Sequence, residues 1–205
     1  MRGRVRPGDR MIPSELVVSA YASGWFPMAV DSGEIRWFSP DPRGIIPLDA
    51  FHVSRRLARV VRNGGFRIGI DEAFEEVIRA CAMAERDAGD PGTWINDEII
   101  ESYVALHARG VAHSMEVWRG DRLAGGLYGV ALRGAFFGES MFHRETDASK
   151  VALVALVERL RLRGYRLLDT QWVTDHLVQF GAIEIPRRRY LELLDASLRE
   201  DCRFV

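Results

Sequence analysis

Hydrophobic positions recur along this chain at two periods, near 2 and near 3.6 residues, and the switches between them mark out its elements. Between Gly125 and Phe142 two apolar runs are parted only by Arg133-Gly134, the spacing of a tight β-hairpin. After a polar loop the period lengthens from Lys150 to Arg163, which predicts a helix opened by Ser149 and ended by Gly164. Leu167-Leu168-Asp169-Thr170-Gln171 then reads as a further strand. Strand, helix and strand in that order form a crossover, so the strands near 135–142 and 165–170 run parallel, either paired or separated by a gap.

The same pattern orders the rest of the chain. A short helix starts at Ser14, read as its cap, and stops at Gly24; Ile35 to Phe38 is a strand, and Asp41-Pro42-Arg43-Gly44 a turn. Ser54 caps a helix that Asn63-Gly64-Gly65 ends. A strand from Phe66 to Ile70 leads through Asp71 into a helix reaching about Arg86, with Phe74, Val77, Ile78 and Cys81 as its buried stripe, and an exposed loop spans 87–93. Asp97 opens a helix with Ile99, Tyr103 and Leu106 inward, followed by strands at 112–119 and 122–132, a short helix from Thr174 to Gly181, and a last one after Pro186. The expected fold is α+β: a small N-terminal domain over 1–62, then a C-terminal domain over 63–205 built on a mixed, mainly antiparallel sheet with one β-α-β crossover.

Composition narrows the function classes. A chain of 205 residues with 47% hydrophobic content buries one good core or two small ones. No apolar run reaches the ~18 residues of a membrane span and no secretory leader is visible, so a soluble cytoplasmic protein without a membrane partner is expected. Cys81 and Cys202 have neither disulfide-framework nor metal spacing, and none of the five histidines pairs at metal-binding spacing, so no metal and no cofactor are expected. His107, His113 and His176 read as structural, hydrogen-bonded groups. The net charge of −1 hides an asymmetry: residues 1–70 carry eleven arginines against six acids, residues 71–100 two against nine. The first twelve residues read as a basic mobile arm. Arg55, Arg59 and Arg62 fall at i, i+4 and i+7 beside Arg56, a face suited to a phosphate backbone or to solvent alone. Lys150, the single lysine, sits in a helix's first turn, where phosphate binds, although a solvated lysine fits equally.

Candidate chemistry gathers at the crossover. Gly125, Gly126, Gly129 and Gly138 interrupt strands, each explicable by a bulge, yet four around one acidic strand favour a ligand groove. Glu139 and Asp169 are placed to face one crevice at carboxyl strand ends, and Gln171 shares a side with Asp169 through the two-residue period. Structural alternatives are a turn cap for Asp169 and an arginine partner for Glu139. Ser140 lacks the strand-turn-helix elbow of a hydrolase nucleophile.

These residues also carry a resemblance. Gly-Gly-Leu-Tyr-Gly-Val, Phe-Phe-Gly-Glu-Ser-Met-Phe with Ala-Ser-Lys after it, and Asp-Thr-Gln followed by Asp175-His176 and Leu-Val-Gln-Phe-Gly-Ala-Ile-Glu-Ile-Pro-Arg resemble the leucyl/phenylalanyl-tRNA protein transferases. Tyr21 through Met28, Trp37-Phe38-Ser39-Pro40 with Arg43, His52 with Ser54-Arg55-Arg56-Leu57, Thr93-Trp94-Ile95, and Leu106-His107 through Trp118 follow in the same order, over about residues 14–195. The resemblance implies transfer of leucine or phenylalanine, and also methionine, from aminoacyl-tRNA to the N-terminal amine of proteins beginning with Arg or Lys, marking them for degradation. It implies a GNAT-like catalytic half, here without that fold's pyrophosphate loop for coenzyme A. Catalysis is then assigned to Asp169, Gln171 and Glu139, with Thr170 where the family often has cysteine. Substrate contacts are assigned to Trp37, Trp94, Leu127, Met141, Leu156, Leu168 and Ser140, and tRNA contacts to Arg55, Arg56, Arg59, Arg62 and Lys150. The alternative is a non-catalytic tRNA or N-terminal peptide binding module of the same fold.

Overall fold

The computed structural model describes residues 11–84 and 94–205; residues 1–10 of the basic arm, the helix end near Arg86 and the loop over 87–93 lie outside the described residues, whereas Ile12, read as part of that arm, is buried with its amide donating to Ser102 Oγ at 2.9 Å. The chain begins with α1 (Ser14–Ala22) and a two-stranded antiparallel sheet of β1 (Phe26–Ala29) and β2 (Ile35–Phe38). The larger sheet takes β3 (Arg43–Ile46), β4 (Arg67–Ile70), β5 (Ala112–Arg119), β6 (Arg122–Leu132), β7 (Ala135–His143), β8 (Leu167–Gln171) and β9 (Ile183–Ile185). Their order is β4-β5-β6-β7-β8-β3-β9, antiparallel throughout except for β7 and β8, which are parallel and directly paired. The expected crossover is therefore present, and no strand intervenes between its two strands.

Helices cover both faces, as a sheet buried on both sides requires. On one face α5 (Ala148–Leu162) lays Val151, Leu153, Leu156 and Leu160 against Met115, Leu127, Phe136 and Leu168. On the other, α1, α3 (Phe74–Met83) and α4 (Asp97–Ala108) bring Tyr21, Val77, Ile78, Tyr103 and Leu106 onto Tyr128, Val130 and Phe137. Beside α5 lies α2 (Arg55–Asn63), capped by Ser54, whose side chain accepts from the Leu57 amide. After β8 come α6 (Asp175–Val178), β9 and α7 (Arg187–Ser197).

Several details differ from expectation. Ser14 is the first helical residue of α1, with Pro13 before it and no side-chain cap. Ser149 is likewise inside α5 and buried; the preceding Asp147 takes the cap position at φ +67. The segment read as a turn at 41–44 instead yields β3, and β9 carried no signal, because strands of four and three residues are too short to show a period. β3 threads between β8 and β9, so a strand preceding α2 belongs to the main sheet. Its Gly44 is forced by packing: a Cβ there would lie 2.5 Å from the Trp172 carbonyl carbon.

The strand glycines divide. Cβ atoms at Gly125 and Gly126 would strike Ala148 Cβ at 2.7 Å and the Met115 carbonyl oxygen at 2.8 Å, so these two serve close packing and not a ligand. Gly129 lies at a bulge, and of the four only Gly138 lines the cleft described next.

Candidate active site

The site grows from two irregularities at the strand ends. Along β6 and β7 the pairing runs Tyr128 to Ser140 and then Gly129 to Gly138, which leaves Glu139 as an extra residue without a cross-strand partner. A bulge of this kind bends its strand and re-aims the side chain it carries. The pairing of β7 with β8 reaches Phe137 opposite Asp169 and stops. Past that point lies a cleft of about 1160 Å³.

The second irregularity is Gln171, at φ +59 in the left-handed region that residues other than glycine seldom occupy. It is held there by its own amide, which donates to Asp169 Oδ1 at 2.8 Å, a side-chain to backbone bond spanning two residues. The Asp-x-Gln spacing thus has a local cause: the aspartate closes a turn that points the glutamine toward β7. Gln171 Nε2 donates to Glu139 Oε1 at 3.1 Å.

Asp169 itself is enclosed, with 0% exposure. Oδ1 accepts from Arg43 Nε at 2.9 Å as well as from Gln171, and Oδ2 accepts from Arg43 Nη2 at 2.7 Å and from the Tyr190 hydroxyl at 2.7 Å. Four donors use all the acceptor sites of a carboxylate. The shared face expected for Asp169 and Gln171 is present, but the aspartate touches no open space; it caps Gln171 and pairs with an arginine. Arg43, also 0% exposed, donates through Nη1 to the Gly24 carbonyl at 3.0 Å and lies between the rings of Phe26 and Tyr190, 4.8 and 4.4 Å from their centroids. Burial opposes its charge, yet Asp169 outweighs that penalty and holds the guanidinium above its ordinary pKa. A buried pair like this contributes little net stability but punishes removal of either member.

Glu139 differs in kind. Its residue keeps partial access to the cleft, while the carboxyl packs inward against tyrosines. Oε2 accepts from the Tyr103 hydroxyl at 3.3 Å, and that hydroxyl is hydrogen-bonded to Tyr21. Burial pushes the carboxyl up to about 8, with the negative charge of Asp169 adding to the rise, and Tyr21, Tyr103 and Arg43 opposing it. At neutral pH the group stands close to its own midpoint, ready to accept or release a proton.

The cleft walls differ in polarity. Leu127, Met141, Leu153, Leu156 and Leu168 line it, as do Trp94, Phe26 and Met28, with Ser140 and Thr170 among the polar members. Trp37 is not brought to this place: it borders a shallow depression with Met11, Ile12, Leu16 and Ile35. His176, read as structural, also lines the cleft, its buried Nε2 without a hydrogen-bond partner among the described residues. Arg55, Arg56, Arg59 and Arg62 are all exposed on α2. Arg56 Nη2 meets Asp147 Oδ1 at 2.8 Å and Lys150 Nζ approaches the same oxygen at 3.6 Å, so the basic helix and the lone lysine converge at the start of α5. Burial raises the Asp147 pKa, but Arg56 and Lys150 outweigh it and keep the carboxyl below its ordinary value.

Sequence reasoning missed Arg43, Tyr21, Tyr103, Tyr190 and Trp172 as parts of the site. Arg43 was hidden in a Pro/Gly-rich turn signal, and Tyr103 read only as an inward core position. Among the described residues no group of His, Cys, Asp and Glu is arranged to hold a metal ion, and no helix is long and apolar enough to cross a membrane.

Comparison with known proteins bears on this geometry directly. Residues 45–195 match the family model for leucyl/phenylalanyl-tRNA protein transferase and residues 11–41 the model for that family's N-terminal domain. The leucyl/phenylalanyl-tRNA–protein transferase of Rhodopseudomonas palustris strain TIE-1 is 56% identical over 195 residues, covering 94% of this chain and 86% of that protein. Those of Nitrobacter winogradskyi and Paramagnetospirillum magneticum are 57% and 54% identical, covering 91% and 95% of this chain and 83% and 93% of the relative. With matches spanning both the small N-terminal sheet and the cleft between β7 and β8, the chain belongs to the leucyl/phenylalanyl-tRNA protein transferase family.

Proposed function

We propose that this enzyme, an aminoacyltransferase by family, moves leucine or phenylalanine, and also methionine, from aminoacyl-tRNA to the α-amine of proteins beginning with Arg or Lys, a tag for degradation. The observation that carries the reading is the junction of Glu139 and Gln171, 3.1 Å apart, at the mouth of an apolar cleft. The donor is already an activated ester, so the reaction needs no enzyme nucleophile. It needs a neutral amine held against the ester carbonyl. An α-amine titrates near 7.7–8.0. A carboxyl at about 8 is therefore matched to it, binding the ammonium and taking its proton at little cost. Gln171 gives an N–H to Glu139, which turns its amide oxygen toward the amine. Asp169 works behind them as a positioning group, since its carboxylate is saturated and sealed. A non-catalytic binding module would need neither this alignment nor a carboxyl near its midpoint.

Leu127, Met141, Leu156 and Leu168 form the side-chain pocket in this reading, with Trp94 a stacking surface for the terminal adenine and Ser140 on the rim. Trp37, away from the cleft, has no part in it. The arginines of α2 with Lys150 carry the tRNA backbone. The division at 62/63 then separates the tRNA-binding helix from the reacting groups, with β3 tying the two parts together. The likeness to a GNAT acetyltransferase is supported by the parallel β7–β8 pair that opens beyond Phe137 and Asp169 beside a bulge. A donor of this kind, aminoacyl-tRNA, supports a cytoplasmic location in this reading. The test is transfer of labelled leucine from charged tRNA to an Arg-start peptide. Label should reach the peptide with the native chain and fall sharply with Glu139→Ala and Gln171→Ala; undiminished transfer in both variants refutes the assignment.

A further inference from the structure

Two tyrosines reach Glu139 from inside the protein and have no part in the reaction as derived so far. Tyr103 on α4 places its hydroxyl 3.3 Å from Glu139 Oε2, and Tyr21 on α1 hydrogen-bonds to that hydroxyl. Both residues are 0% exposed. Their rings serve packing, Tyr21 tilted against Phe137 at 4.8 Å between centroids and Tyr103 edge-on to Tyr128 at 5.7 Å. Phenylalanine would fill both places as well, and burying a hydroxyl carries a cost that its hydrogen bonds must offset. The hydroxyls therefore call for a reason beyond packing.

The charged and titratable groups around Glu139 are few. Tyr21 faces it from α1, Tyr103 from α4, Asp169 from β8 together with the neutral Gln171, Arg43 from β3, Tyr190 from α7, and Tyr128 stands beside Tyr103 on β6. Arg43 is the cation of this set, and its Nε and Nη2 are bound to Asp169. Arg43 favours ionised Glu139 only through space, and among the described residues no cation is bonded to the Glu139 carboxyl. The Gln171 amide and the Tyr103 hydroxyl donate to its carboxyl, and the Tyr21 hydroxyl, bonded to Tyr103, acts on it as well. An amide N–H only donates, whereas a hydroxyl both donates and accepts.

We propose that Tyr103 and Tyr21 form a reversible hydroxyl pair that positions Glu139 and accommodates its carboxyl with or without a proton during transfer. With Glu139 ionised, Tyr21 donates to Tyr103 and Tyr103 donates to Oε2. With the proton on Oε2, that O–H donates to Tyr103 and Tyr103 donates to Tyr21, so each of the three groups keeps a hydrogen bond in both states. The proposal rests on Glu139 as the group that takes the ammonium's proton. In that step an N–H bond of the acceptor breaks and an O–H bond forms on Glu139. The freed lone pair attacks the ester carbonyl carbon, and collapse breaks the bond to the ribose oxygen. The second N–H proton ends on that oxygen, and Glu139 returns its proton to water once product leaves. Hydrogen bonds from Tyr21 and Tyr103 lower the carboxyl's pKa against burial, consistent with this arrangement.

The experiment is the pH dependence of single-turnover transfer from charged tRNA to an Arg-start peptide by the full chain and its Tyr103→Phe and Tyr21→Phe variants. The peptide's own amine titrates alike in every reaction, so only differences between enzymes count. Loss of the Tyr103 hydroxyl should move the ascending limb upward by about one pH unit, roughly tenfold in rate at the acidic end and little at the alkaline end. Tyr21→Phe should move it in the same direction, because its hydroxyl also holds the carboxyl's pKa down, and serves alone if the other variant does not fold. In a Glu139→Gln background Tyr103→Phe should change nothing further. A uniform fall at all pH values, an unmoved profile, or full additivity with Glu139→Gln overturns the proposal. Wild-type transfer by Glu139→Gln itself would instead remove Glu139 from the reaction, a failure of the underlying reading that this arm identifies separately.

Discussion

Arginine is used in two opposite ways in this molecule. Arg43 is sealed at 0% exposure, bonded bidentately to Asp169, bonded again to Gly24 and Tyr190, and flanked by two rings. The arginines of α2 stand in water, with Arg56 resting on Asp147 through a side chain 66% exposed. The first case spends its charge on geometry: a planar fork fixes one carboxylate, which in turn fixes Gln171. The second keeps its charge available at a distance, where salt screens it over about 8–10 Å. The same residue type thus builds a rigid site in one region and a solvent-exposed charged face in the other. The buried arginine is intolerant of replacement, whereas each exposed one is individually dispensable.

This contrast sets a ladder of expected effects. Arg43→Met should lower stability by about 3–5 kcal/mol, because Asp169 is left as an uncompensated buried charge. Thermal denaturation reads it, and an unchanged midpoint would mean that the pair is not what holds β3 to β8. Next come Gln171→Ala, expected to slow transfer by about 10²-fold or more with tRNA affinity retained, and Asp169→Ala, expected to slow it likewise and also to destabilise the fold by leaving Arg43 buried without its partner. A loss appearing in tRNA binding instead of turnover would move these residues out of the reacting centre. Met141→Ala and Leu127→Ala should change the preference among leucine, phenylalanine and methionine by about 1–3 kcal/mol without admitting lysine, whose charge would be buried unpartnered. Competition among charged tRNAs decides it, and efficient lysine transfer would place the pocket elsewhere. On the exposed side, Arg55→Ala with Arg59→Ala should flatten the log-log salt dependence of tRNA binding by about one unit per lost contact. An unaltered slope would end the contrast by showing that α2 meets no phosphate.

Acidity sharpens the comparison from within the site. Glu139 has a folded-state pKa of about 8, raised by burial from 4.5. Between those values the folded chain binds the extra proton, so its contribution to stability falls as pH rises from about 4.5 to about 8 and levels off above. Glu139→Gln should flatten that part of a stability profile measured by denaturant titration; a slope unchanged by the substitution would assign it to other groups.

Much of this fold was legible in the sequence because its long elements are periodic. β5 and β6 fall on the residues predicted, Ser54 caps α2, and the parallel crossover follows from a strand, a helix and a strand in succession. The failures are local and physical. β3 and β9 are too short to carry a period, and the Pro and Gly beside Arg43 imitate a turn. Topology and spacing put Glu139, Asp169 and Gln171 in one place, but not the division between a sealed aspartate and a Glu139–Gln171 pair at the cleft. That division depends on an unpaired residue at the β7 bulge and a left-handed backbone at Gln171, neither of which leaves a trace in hydrophobic pattern. The glycine cluster misled in part, since Gly125 and Gly126 make room for Ala148 and Met115.

The insertion of β3 between β8 and β9 has a consequence for the order in which the protein is made. The bond from Arg43 to Asp169 joins residues 126 apart in sequence, and that from Arg43 to Tyr190 residues 147 apart. Closing loops of that length must await the later partner, and long-range pairing of this sort is the slow part of folding. On the ribosome β3 emerges early and waits, its edges unmatched, until nearly the whole chain has been synthesised. A nascent or truncated chain that stops short of α7 has α2 and the bulged strand but lacks Tyr190, one of the groups that fix Asp169. Under the proposed roles such a chain would capture a charged tRNA before it could use one, and synthesis that stalls late would yield a sink for the substrate, not a catalyst.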